Sequence, residues 1–185
     1  AEALDDAQKM QDLLKAVNAY QQLYAAQEEL AKQTQPYADK TEFTREDKLA
    51  LQEIAGTEWQ ISEGIEAVEK ALREGAANAE ELYPEAAQDA RNIADAISDA
   101  NLTNLANGSA KTMLSGKGDQ SHDKAEHLRG EMEKLLEECQ ECQGGGGAPS
   151  EEFTQRLKMM RGMAAGDTFS QMAQCKKFGN GKGQA

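Results

Sequence analysis

β-Branched and aromatic side chains are scarce in this chain. Valine and isoleucine together number 7 of 185 residues, and the aromatic residues number 9. Strands draw on those residue types, so their scarcity disfavours a sheet. Leucine, isoleucine, valine and phenylalanine total 27, too few to fill a wide globular core. With a net charge of −13, the composition reaches the range shared with disordered chains. No apolar run approaches the roughly 20 residues that cross a bilayer, so no membrane span is expected. There is neither a basic n-region nor an apolar h-region at the start. The first residue is Ala1 rather than Met, which suggests a lost leader or, preferably, a piece of a longer protein.

The residues that carry chemistry are also few: two histidines and three cysteines. His122 and His127 are five apart and lack an HExxH setting. Carboxylate-bridged di-iron bundles use Glu-x-x-His pairs, and the chain has none. No GxSxG, paired catalytic carboxylate or Ser/His/Asp arrangement is present. The segment Asn107-Gly-Ser-Ala-Lys-Thr112 lacks both the glycine spacing and the preceding strand of a phosphate loop. Asn101-Leu-Thr103 and Asn107-Gly-Ser109 are formal glycosylation sequons, which matter only in a secreted protein. An enzyme is not expected, nor is a cofactor.

What is abundant is alanine, at 30 residues, and glutamine, at 17. Both suit helices, because their side chains lose little entropy there. Four segments carry apolar residues at alternating steps of three and four, the pattern of a helical seam. In the first, about Ala3 to Thr34, the seam is Met10, Leu13, Val17, Tyr20, Tyr24, Gln27 and Ala31. Pro36 ends it, since proline disfavours helical geometry in the residue before it. The second opens at Thr44, where Thr44 and Asp47 make a variant capping box. Its seam is Leu51, Ile54, Glu58, Ile61, Ile65, Val68 and Leu72, with Gly75 as the expected stop. The third, opening near Pro84, is thin: Leu82, Ala86, Ala90, Ile93, Ile97 and Ala100, eroded by asparagines from Asn101 onward. The fourth opens with Ser121 as its expected N-cap and runs through Ala125, Leu128, Met132, Leu135, Cys139 and Cys142.

These segments predict an all-α fold, an elongated antiparallel bundle of about four long helices with a short C-terminal helical appendage. The predicted divisions are a bundle over 1–143, a Gly-rich linker over 144–149, an appendage over 150–178 and a disordered tail over 179–185. Residues 1–143 carry 14 basic and 30 acidic side chains, whereas residues 144–185 carry 6 and 3. An acidic body repels phosphate backbones, so nucleic-acid binding is not expected.

Polar residues interrupt two seams, Gln27 in the first and Glu58 in the second. For a hairpin folded about the Pro36–Thr44 connection, facing positions add to roughly 78. That places Glu58 beside Tyr20, and Gln27 near Leu51. Tyr20, Gln27 and Glu58 are therefore expected to form polar layers that give up stability for alignment. Trp59 lies off the seam and either packs on a third helix or anchors a partner.

Cys139-Gln-Glu-Cys142 is a CxxC, with Cys175 the one other cysteine. The histidines lie about 12–20 residues away, some 18–30 Å along a helix, too far to complete a four-ligand zinc site with the CxxC. Its position at a helix C-terminus beside Glu137, Glu138 and Glu141 raises the thiol pKa and disfavours redox catalysis. Cys139, Cys142 and Cys175 thus remain weak metal candidates. They also read as small seam residues, or as a disulfide from the helix to Cys175. Met159, Met160, Met163 and Met172 form an adaptable apolar face for docking on the bundle or on a partner helix.

The leading expectation is a non-catalytic helical scaffold or interaction module, with a protein partner or self-association. A small-molecule-binding or sensor bundle is the alternative, suggested by the small residues Ala86, Ala87, Ala90, Ala94 and Ala96. A cysteine-based metal or redox site is the third. In texture the chain is similar to the Gln/Glu/Ala-rich helical segments of large bacterial envelope or cytoskeletal proteins, without a motif tying it to a family. A lean toward an extracytoplasmic or envelope location rests on that texture.

Overall fold

The structure, a computed structural model, describes residues 2–141. These form α1 (Glu2–Thr34), a turn of 3-10 helix (Gln35–Tyr37), α2 (Arg45–Ala79), α3 (Pro84–Asp99), α4 (Leu102–Leu114) and α5 (Gly118–Glu141). Among the described residues the fold is all-α and has no strand. The linker, appendage and tail expected from 144 onward lie outside the described residues.

α1 and α2 are 33 and 35 residues long, about 50 Å each. α2 is the hub, packing on α1, α3 and α4, while α5 closes the bundle by packing on α4 and α1. α2 therefore buries more than its predicted seam. Leu51, Ile54, Glu58, Ile61, Ile65, Val68 and Leu72 are all buried, and a second stripe adds Ala55, Ser62, Ala76 and Ala79. The Thr44–Asp47 capping box forms: the Thr44 hydroxyl accepts from the Asp47 amide, and the Asp47 carboxylate accepts from the Thr44 amide. Lys40 adds an ion pair to Asp47 at 2.6 Å.

Gly75 does not stop α2, which runs on to Ala79. A side chain at Gly75 would meet Leu13, so its smallness lets α1 and α2 approach closely inside the bundle. Ser121 is likewise not an N-cap. α5 opens three residues earlier, and the buried Ser121 hydroxyl donates to the Lys117 carbonyl at 2.9 Å. In α1, Ala16 and Leu30 are buried where Val17 and Tyr24 were expected to lead, and both of those are half-exposed. Leu82, placed in the third seam, stands 42% exposed in the turn before α3.

The α1–α2 register also differs from expectation. Facing positions add to 85 at Gln27–Glu58, 87 at Leu23–Gly64 and 88 at Leu13–Gly75. The connection is thus not a symmetric hairpin turn. α2 begins roughly two turns, about 10 Å, beyond the end of α1. The 3-10 turn and the segment to Thr44 span that overhang. Tyr37 and Phe43 stack there with ring centroids 6.3 Å apart, and Phe43 lies against the buried Gly118 at the start of α5.

α3 and α4 together supply the third strut. Arg73 pairs with Asp95 on α3, and Ser62 meets Thr103 and Asn107 on α4. These positions add to 168, 165 and 169, so both helices follow one line along α2. The break between them is Asn101, in the left-handed conformation at φ 56° and ψ 35°. Asparagine tolerates that conformation better than most residues. Its side-chain oxygen accepts from the Asn104 amide one turn on.

Candidate functional site

The chemistry-bearing side chains inside the bundle gather in one layer. Gln27 on α1 and Glu58 on α2 are fully buried, as is Ser109 on α4. The Gln27 amide nitrogen donates to Glu58 Oε1 at 3.4 Å and to the Ala125 carbonyl of α5 at 3.1 Å. Only an NH2 group can face a carbonyl and a carboxyl oxygen together, which fixes the orientation of the amide. One polar contribution thus comes from each of the four struts.

The layer is incompletely satisfied. Gln27 Oε1, Glu58 Oε2 and Ser109 Oγ are shielded from solvent without a hydrogen-bond partner. Among the described residues no cation neutralises the carboxyl. Burial pushes the Glu58 pKa up to about 7, and the neighbouring Ser109 hydroxyl and Gln27 amide pull it back only in part. The expected partner of Glu58 is corrected accordingly: Glu58 faces Gln27 rather than lying in the Tyr20 layer, because the register is shifted by the α2 overhang. The buried Tyr20 hydroxyl instead donates to the Met132 carbonyl of α5 at 3.2 Å.

Two further junctions bracket this layer. Toward the α1–α2 connection, the Thr34 hydroxyl donates to the Ala31 carbonyl at 2.8 Å and lies 3.1 Å from His122 Nδ1. The Ala31 carbonyl and His122 Nδ1 compete for the one Thr34 hydroxyl proton unless the imidazole itself donates from Nδ1. Below the layer, the Ser62 hydroxyl lies 2.8 Å from Asn107 Oδ1 and 3.2 Å from the Thr103 carbonyl. Asn107, in the second sequon, is therefore engaged in helix packing. On the rim, Tyr24 donates to Glu133 at 3.3 Å, and its pKa rises to about 12 through burial and then the Glu133 charge.

Ser109 was named from the sequence only as part of a sequon, not as a member of a polar layer. Its signal was present in the spacing, since it falls at the position that faces Glu58 once α4 follows the line of α3 along α2. Trp59 is half-exposed beside Ala55 and Ser62, at the edge of the stripe that meets α4. Cys139 lies in the last turns of α5. Cys142, Cys175, Met159, Met160 and Met163 lie outside the described residues. Among the described residues no group of three His, Cys, Asp or Glu side chains is placed to hold a metal ion. No helix there is long and apolar enough to cross a membrane.

On the exterior, the end that carries both the α1–α2 and α4–α5 connections holds an open cleft of about 470 Å³. Lys40, Phe43, Gly116 and Lys117 are among its lining residues. Leu49 and Leu114 belong to the same end and are 51% and 49% exposed. The small residues Ala86, Ala87, Ala90 and Ala94 are buried, which lets α3 sit close on α2. No protein-family model matches the chain, and neither a curated protein nor a solved structure matches it.

Proposed function

We propose that the chain is a non-catalytic helical interaction module that presents its outer surface to another protein or to a second copy of itself. One observation carries this: the apolar stripes of the described helices are consumed inside the bundle, and large apolar side chains stand out mainly at its ends. Leu49 and Leu114 share the connection end with the stacked Tyr37 and Phe43. Exposed leucines of this kind, rimmed by charge, suit a protein contact better than a reaction.

Light scattering on the full chain over a concentration series, with and without reductant, tests the proposal. The expected result is an assembly heavier than the 20.1 kDa chain. It should persist in reductant and weaken in a Leu49→Glu/Leu114→Glu variant. A monomer at every concentration removes self-association. An assembly that disappears on reduction transfers the role to the cysteines. An assembly unaffected by the two substitutions removes this end as the contact surface.

A further inference from the structure

We propose that Glu58 is a proton-binding site whose occupancy sets how tightly the four struts close, so that the bundle is firm when Glu58 is protonated and loosened when it is ionised. The geometry supplies the parts. The carboxyl is fully buried at the meeting of α1, α2, α4 and α5. Glu58 Oε2 and Gln27 Oε1 are shielded acceptors without partners, and the Ser109 hydroxyl beside them, able to donate or accept, makes no hydrogen bond of its own. A proton on Oε2 turns that acceptor into a donor, for which Gln27 Oε1 and Ser109 Oγ are the acceptors in the layer. Ionisation leaves the Ser109 hydroxyl as the one further donor the layer can turn to the carboxylate, leaves Gln27 Oε1 unsatisfied, and adds a buried charge that is costly without a counterion.

The surrounding ionisable groups are engaged elsewhere. On α1, Tyr24 bonds Glu133 and Glu28 pairs with Lys32. On α5, His122 contacts Thr34, Lys124 bonds Thr112, and Glu126 and Glu133 hold Arg129. On α4, Lys111 is exposed. On α3, Arg91 pairs with Glu80 and Asp95 with Arg73. The groups that shift Glu58 are Ser109 and Gln27, both neutral, against burial. At low pH Glu58 is neutral in the folded and unfolded chain alike. Between about 4.5 and 7 it is ionised when unfolded but protonated when folded, so stability falls as pH rises through that window and levels off above it.

The test is urea unfolding of the full chain from pH 4 to 8, beside the isosteric Glu58→Gln variant, together with a carbon-13 titration of the Glu58 carboxyl in the folded wild type. Relative to Glu58→Gln, the wild-type folding constant is expected to drop roughly 300-fold across the range, one factor of ten per unit of pKa displacement. The carboxyl resonance should move near neutrality. Parallel pH profiles for the two proteins, or a carboxyl that titrates in the ordinary range, overturn the proposal. If Glu58→Gln fails to fold, the wild-type titration decides alone.

Discussion

Five glycines lie inside helices of the bundle, and replacing each by alanine separates backbone propensity from packing. Alanine in a helix interior is favoured over glycine by about 1 kcal/mol. At Gly56, Gly108 and Gly130 a new Cβ meets nothing within 4 Å, so the gain should be realised in full. At Gly64 the new Cβ falls 2.5 Å from Leu23 Cδ2, the tip of a half-exposed side chain that has room to swing. The net effect there should lie between zero and about +1 kcal/mol. At Gly75 the new Cβ falls 2.7 Å from Leu13 Cδ2 and 3.9 Å from the Leu13 backbone nitrogen. Leu13 is 1% exposed, so its side chain is enclosed by the core rather than free to swing into solvent. Overpacking of about 1–3 kcal/mol then exceeds the propensity gain, and Gly75→Ala should destabilise by up to about 2 kcal/mol. Urea unfolding followed by helical circular dichroism, with unchanged slope, reads the series. Gly75→Ala as stable as Gly56→Ala would falsify the α1–α2 register. Truncating Leu13 to alanine in the Gly75→Ala background should cost less than in wild type, because the two sites share one space.

Three other outcomes are expected. Asn101→Ala should cost about 1 kcal/mol in the same urea assay, because alanine bears the full left-handed penalty and loses the bond from Asn104. Thr44→Ala should cost about 1 kcal/mol by opening the capping box. Asp47, held below the usual carboxylate range by Lys40 and the Thr44 amide, contributes stability above that range and loses it as pH falls through its folded pKa. Wild type should therefore exceed Lys40→Met in stability above the carboxylate range, and the two should converge at low pH, a pH dependence opposite in sign to that of Glu58.

The seams of α2 and α5 were legible because large apolar residues at helical spacing have one reasonable destination. The capping box was legible because Thr44 and Asp47 carry it alone. The register was not, since a connection that spans an overhang leaves no mark in helical periodicity. The Tyr20–Glu58 pairing failed for that reason, although Gln27 and Glu58 were the right two residues to notice. The helix ends at Gly75 and Ser121 misled because glycine and serine also serve close packing and back-bonding to a carbonyl inside a helix. Ser109 escaped notice as a member of the polar layer because its importance depends on a helix break that keeps α4 in line with α3.

That break has a mechanical consequence. A continuous third strut would couple the two halves of the bundle as a rigid rod. Asn101 divides it into an inner segment gripped between α2 and α5 and an outer one resting chiefly on α2. The outer segment can lift from its main support at the cost of small alanine contacts, the buried Ile97 and the Arg73–Asp95 pair, while the inner segment can leave only by parting two helices and exposing the Ser109 layer. Amide exchange should therefore be graded along the strut, with α3 opening in small local events and α4 retaining its protons until the whole molecule unfolds.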